Sequence, residues 1–202
     1  FTSLTTYLDL ARRRGAGTHE PPPARSSFRQ EFKKLFLVSA SGTAIAEANQ
    51  PRIEDQGFAE LRIYFPSSFL FGECEVEPRD PAVEELGRFR DFLNRYDKDI
   101  ERIQITGHTD RDPPSRYGLC FAQGIKTNWQ LSARRAITIA EQLAPEDGKG
   151  VAPAKVWPTA LGPHHPAISS GPEVTGESRN QRDRRIEVLI KFRESGSVQA
   201  TK

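Results

Sequence analysis

Methionine is absent from the 202 residues, cysteine occurs twice, and no apolar run reaches the length that crosses a membrane as a helix. A surplus of one charge is lacking too. Lys and Arg number 29 against 27 Asp and Glu, a net +2, so there is no uniform positive field to hold a nucleic acid. Cys74 and Cys120 fit no zinc-ligand spacing, which leaves open a disulfide, two buried thiols or a share in a metal site. Such sparing use of cysteine leans toward an oxidising compartment. Apolar residues make up only 36% while Gly and Pro reach 15 each, a balance that predicts long connections around a modest core. Length and composition together give one domain plus an extension. Phe1 stands where a start methionine would, so a processed product or a segment of a longer protein is expected.

What is present reads as alternating strands and helices. Phe1, Leu4, Leu8 and Ala11 recur at helical spacing before Arg12-Arg13-Arg14, as in a helix trailing from a membrane or in a frayed terminal helix. Gly15-Ala16-Gly17 and Pro21-Pro22-Pro23 mark a linker. Ser27-Phe28-Arg29-Gln30 fits a capping box and opens a helix with Phe28, Phe32, Leu35 and Phe36 on one face. That face needs cover from the main domain, a partner chain or lipid. From Phe58 the pattern becomes regular. Leu61, Ile63 and Phe65 alternate as a strand; Asp80-Pro81 starts a helix with the stripe Val83, Leu86, Phe89, Leu93 and Tyr96.

The next strand is Ile103-Gln104-Ile105-Thr106, and Gly107 is read as the point where the backbone turns out of it, delivering Asp110 to the sheet's end. A helix from Asn128 follows, with Leu131, Ala136, Ile139, Ala140 and Leu143 apolar. Residues 156–161 form a strand whose Pro158 assigns it to an edge, and Ile186, Val188, Ile190 and Phe192 make the last strand. The fold class is α/β: a two-layer sandwich, a mixed sheet with helices on one face, plus an N-terminal helical extension. The expected divisions are 1–57 for the helical and proline-rich extension, 58–193 for the domain and 194–202 for a flexible tail.

Three pieces in this order carry a resemblance: Gly107-His108-Thr109-Asp110, Asn128 with Leu131-Ser132 and Arg135-Ala136, and Asp183-Arg184-Arg185-Ile186-Glu187. They resemble the OmpA-like peptidoglycan-binding domain shared by OmpA, Pal and MotB, over residues 58–192. Phe65-Pro66-Ser67-Ser68-Phe69-Leu70-Phe71-Gly72 is most similar to the MotB branch. The resemblance implies a noncatalytic periplasmic module, without cofactor or metal, that grips the diaminopimelate of a stem peptide. Asp110 would accept from the ligand's ammonium and Arg135 would fork onto its carboxylate, with Thr109, Asn128, Leu131 and Arg184 completing the lining. The bland counterparts are an Asp110–Arg135 pair that merely pins helix to sheet, Asn128 as a helix N-cap, and Arg184 in a solvated cluster.

The chain departs from the family pattern in three places. Residues 111–127 are longer than usual by about ten, Asp112 and Pro113 stand where a glycine is usual, and Gly72 replaces an acidic residue for which Asp112 is the candidate substitute. The lengthened segment and the loop after the first strand should leave the sheet at the same end. A disulfide between Cys74 and Cys120 is therefore expected, worth about 3–5 kcal/mol by loop closure; a reducing compartment would leave two thiols instead.

The MotB-branch likeness implies a single-pass inner-membrane protein, a stator subunit of a flagellar or motor-like antiviral system, with a MotA-like channel partner and a homodimeric state. A Pal-like anchor is the alternative. A metal-dependent cell-wall hydrolase ranks lower, because His108, His164 and His165 with Asp110 and the cysteines match no metal spacing and His108 reads as a packed strand-end residue. Nucleic-acid binding through Arg179, Arg182, Arg184 and Arg185 is opposed by the interleaved Glu177, Asp183 and Glu187 and by the lack of a stacking platform.

Overall fold

The computed structural model describes residues 21–167 and 177–194, so the helical spacing expected over 1–14 and the tail beyond residue 194 lie outside the described residues. Helix α1 spans Pro23–Leu35 with proline at its start and no side-chain cap. It begins four residues before the Ser27 capping box, because a proline there has its φ preset for the helix and no N–H to leave unpaired. A short edge strand β1, Arg52–Asp55, follows, then β2, Glu60–Pro66. Proline ends β2, and the single turn α2, Ser67–Leu70, leads to α3, Asp80–Arg95. Then come β3, Ile100–His108; the small helix α4, Gly118–Ala122; α5, Asn128–Leu143; β4, Val156–Gly162; α6, Glu177–Asp183; and β5, Arg185–Phe192.

The five strands form one sheet in the order β1-β2-β5-β3-β4. Neighbours are antiparallel except β3 and β4, which run parallel with α5 as their crossover. This is the mixed α/β architecture that the alternation of elements predicts. Pro158 sits on the edge strand β4, where its missing N–H costs no second ladder.

Period-two alternation sends Leu61, Ile63, Phe65, Ile103, Ile105, Ile186, Val188 and Ile190 to one face, where they join Leu86, Phe89, Leu93, Ala136, Ile139 and Leu143 in one core. The α3 stripe is rotated slightly from its expected position. Ala82, Leu86, Phe89, Phe92 and Leu93 are buried, whereas Val83 is 40% exposed.

Helix α1 belongs to the same core. Phe28 stacks edge-on to Phe192 at 5.4 Å and tilts against Phe92 at 4.5 Å, while Phe32 meets Phe89 at 5.9 Å and Phe36 meets Phe65 at 5.7 Å. Of the three covers left open for this aromatic face, the domain is the one used. Both ends of α1 are fastened by arginines. Arg25 donates to Asp55 Oδ1 at 2.6 Å and to the Gly57 and Glu60 carbonyls; Arg88 donates to the Leu35 carbonyl at 2.7 Å and the Val38 carbonyl at 2.8 Å.

Candidate functional site

Gly107 is not a turn but the last inward-facing position of β3. A Cβ there would collide with the Ser132 carbonyl, so glycine lets α5 lie directly on the strand. The chain leaves the sheet only after His108, and the Thr109 amide still donates to the Gly162 carbonyl at 3.0 Å. Asp110 is thus held at the end of β3, 6% exposed, beside the start of α5.

Asn128 is not the N-cap. Thr127 is, its hydroxyl accepting from the Gln130 amide at 3.2 Å. The Asn128 amide instead donates to the Asp110 carbonyl at 3.1 Å and the Asp112 carbonyl at 2.9 Å, tying the loop after β3 to the helix. Asp110 Oδ1 accepts from the Asp112 amide at 3.2 Å, and its Oδ2 lies 3.3 Å from Arg184 Nε. Arg184 is therefore drawn to the Asp110 end of β3 while about one third of its side chain stays exposed. Asp112 accepts from Asn180 on α6 at 3.0 Å, which draws that helix to the same loop. Thr109 is 3% exposed and its hydroxyl has no hydrogen-bond partner among the described residues.

Arg135, one helical face along from Asn128, is 4% exposed. Its Nε donates to the Glu75 carbonyl at 2.8 Å, Nη1 to the Ser67 hydroxyl at 3.0 Å and Nη2 to the Gly72 carbonyl at 2.9 Å, with the guanidinium 4.9 Å from the Phe71 ring centre. The predicted clasp changes in one respect. Arg135 spends its fork on the loop after β2, and the guanidinium in contact with Asp110 is that of Arg184. Burial, aided by the positive charge of Arg184, lowers the Arg135 pKa to about 10, with Asp110 and Glu75 opposing. Three of its five N–H donors are used by Ser67 of α2 and by the loop that follows it, which leaves two.

That loop is shaped by its own residues. Gly72 donates to the Glu75 carboxylate at 2.8 Å, and a Cβ at Gly72 would occupy the place of that carboxylate. A side chain at residue 72 would have to displace the Glu75 carboxylate, which here supplies a negative charge three residues later. Cys74 adopts a positive φ of 55° and is bonded to Cys120 of α4. The disulfide packs with Ile125, Val76 and Leu131, so Leu131 roofs a small second core beneath the lengthened segment.

Sequence reasoning missed a second charged cluster on the opposite sheet face. Glu187 accepts from Arg185 at 2.6 Å and from Arg62 at 3.2 Å, and lies 3.4 Å from His108 Nε2. Burial pushes the Glu187 carboxyl up, but His108 and Arg185 outweigh it and bring the pKa down to about 2. The signal was available: Arg185 and Glu187 sit two apart on a strand whose inward positions are all apolar. Trp129, half exposed, stacks on His164 at 5.2 Å. Among the described residues no group of His, Cys, Asp and Glu is placed to hold a metal ion.

Comparison with known proteins places this geometry. Residues 68–181 match the sequence model of the OmpA family. A putative MotB-like protein from Desulfovibrio vulgaris superposes with a TM-score of 0.65 at 24% identity, over 84% of this chain and 95% of that one. The cell wall anchor of the T6SS from Pseudomonas aeruginosa gives 0.60 at 20% identity, over 86% and 99%. The periplasmic domain of Helicobacter pylori MotB gives 0.58 at 17%, over 76% and 88%. At these identities the likeness is one of fold. No curated protein matches the chain.

Proposed function

The chain belongs to the OmpA family, and from that premise we propose that it is a noncatalytic periplasmic anchor that holds peptidoglycan through the diaminopimelate of the stem peptide. The observation that carries this reading is the Asp110–Arg184 pair at the end of β3, 3.3 Å apart, with Arg184 about one third exposed. A zwitterionic ligand end replaces such a pair without leaving either charge unmatched: its ammonium takes Asp110 and its carboxylate takes Arg184. Thr109, whose hydroxyl is unpaired among the described residues, adds one hydrogen bond. Arg135 fixes the wall of the site and offers its two remaining donors, and Asn128 holds the loop that carries Asp110.

Further in the same reading, the anchored machine is a MotB-like stator subunit, a homodimer working with a MotA-like channel partner and tethered to the inner membrane by a segment upstream of the domain. The similarity of fold to MotB-like domains supports it. The cell wall anchor of the T6SS shares that fold too, which supports wall binding whatever machine is anchored.

The test is co-sedimentation with diaminopimelate-type peptidoglycan. Asp110→Asn and Arg184→Ala should each weaken binding about tenfold or more, as loss of a charge-assisted contact implies, with the melting temperature little changed. Arg135→Ala should lose binding and melt earlier, because the loop after β2 loses its three anchors. Full binding by both Asp110→Asn and Arg184→Ala refutes the site.

A further inference from the structure

The lengthened segment builds something that wall binding does not use. Helix α4 and the loop that joins α2 to α3 face each other across the Cys74–Cys120 disulfide and enclose an open groove of about 570 Å³. Its lining includes Glu75, Val76, Glu77, Asp80, Leu119 and Gln123, three carboxylates among apolar side chains, and among the described residues Arg79 is the cation that lines it. Leu119 of the lining is 45% exposed, and its sequence neighbours Tyr117 and Phe121 are 83% and 67% exposed, three large apolar side chains within five residues.

We propose that this groove is a docking site for a basic segment of a partner protein, one that sets Lys or Arg against the acidic rim and an aliphatic side chain against Leu119. The charge of the groove decides the class of occupant. Glu75, Glu77 and Asp80 repel anionic lipid headgroups and nucleic-acid phosphates, whereas a cationic segment with an apolar face satisfies both components of the lining. The disulfide ties the two walls together, so the groove exists before the partner arrives and little ordering is needed on this side. The groove is separate from the proposed wall site, and the two meet along the Cys74 loop, where the Glu75 carbonyl accepts from Arg135 and Val76 packs with Leu131.

The experiment uses the full chain and a fluorescein-labelled 12-residue peptide of alternating leucine and arginine, followed by anisotropy, with an alternating leucine and glutamate peptide as comparison. The basic peptide should bind saturably and weaken as salt rises. Glu77→Gln combined with Asp80→Asn, and separately Leu119→Ser, should weaken it about threefold or more. Peptidoglycan co-sedimentation of the same variants should stay intact, which shows that they fold. Equal binding of the acidic peptide, or binding unchanged in both variants, overturns the proposal. A several-fold gain in affinity on replacing Arg12, Arg13 and Arg14 by alanine would place the chain's own basic stretch in the groove and overturn the assignment to a partner.

Discussion

Single atoms decide most of what the site does. Gly107 permits contact between β3 and α5 that no other residue allows, so Gly107→Ala should destabilise by about 2–3 kcal/mol through forced separation of backbones, read as a lower urea midpoint. Glu187 makes stability depend on pH in a defined direction. Its folded pKa of about 2 lies below the 4.5 of the unfolded chain, so its contribution is complete above about pH 4.5 and is lost as pH falls toward 2. Urea melts at pH 6 and pH 3 should differ by more in the native chain than in Glu187→Gln, by on the order of 1–3 kcal/mol. At this scale the sequence was legible for identity and less so for partner. Asp110 and Arg135 stand in the expected region, yet the pairing of Asp110 with Arg184 depends on where the turn between α6 and β5 places one side chain. Asn128 shows the same limit. Asparagine before a helix suggests a cap, and only the course of residues 110–112 reveals that Thr127 caps while Asn128 ties down the loop.

Among the elements, α1 carries the largest consequence. Phe28 and Phe32, with Phe36 just past its end, read clearly as one face in the sequence, but what covers an amphipathic face is a tertiary fact. Here it is the ring cluster of Phe65, Phe89, Phe92 and Phe192. Phe32→Ala should therefore cost about 3–5 kcal/mol of the whole domain's stability rather than melt a detached helix. A single cooperative transition at lower temperature is the expected scan; an unchanged main transition would mean that α1 does not share the core. The strands from Leu61, Ile103 and Ile186 were legible because alternation over a half-buried sheet leaves little ambiguity. Strand β1 was missed, since Arg52–Asp55 is short, charged and on the edge, with one apolar residue and no pattern to read. The start of α1 was misplaced for a related reason: a capping-box spelling at Ser27 competes with Pro23, and proline at the first helical position wins.

Over the whole molecule, the start of α1 and the proposed wall site lie at opposite ends of the sheet. Arg25 fastens α1 at the first residue of β2, whereas Asp110 and Arg184 stand where β3 ends and β5 begins, beside the last residue of β2. Seven residues of β2 separate the two ends, about 20 Å of strand. If the chain is tethered from its N-terminal side and bound to the wall at the site, load runs along the strands and resists as shear across the ladders. The two ends should also be separable by mutation. Arg25→Ala, which removes a buried charge with three acceptors, should lower stability by about 1–3 kcal/mol while leaving peptidoglycan affinity unchanged. A parallel loss of binding would mean that the ends are coupled.

The Asp110–Arg184 pair suits an amino acid with both an ammonium and a carboxylate at its free end. Diaminopimelate-type and lysine-type peptidoglycan differ in that carboxylate, so the most direct measurement is co-sedimentation of the native chain with each under the same conditions. Retention on the diaminopimelate wall and a loss of about tenfold or more on the lysine wall, which offers Arg184 no ligand carboxylate, are expected. Equal retention on both would contradict this assignment of the pair.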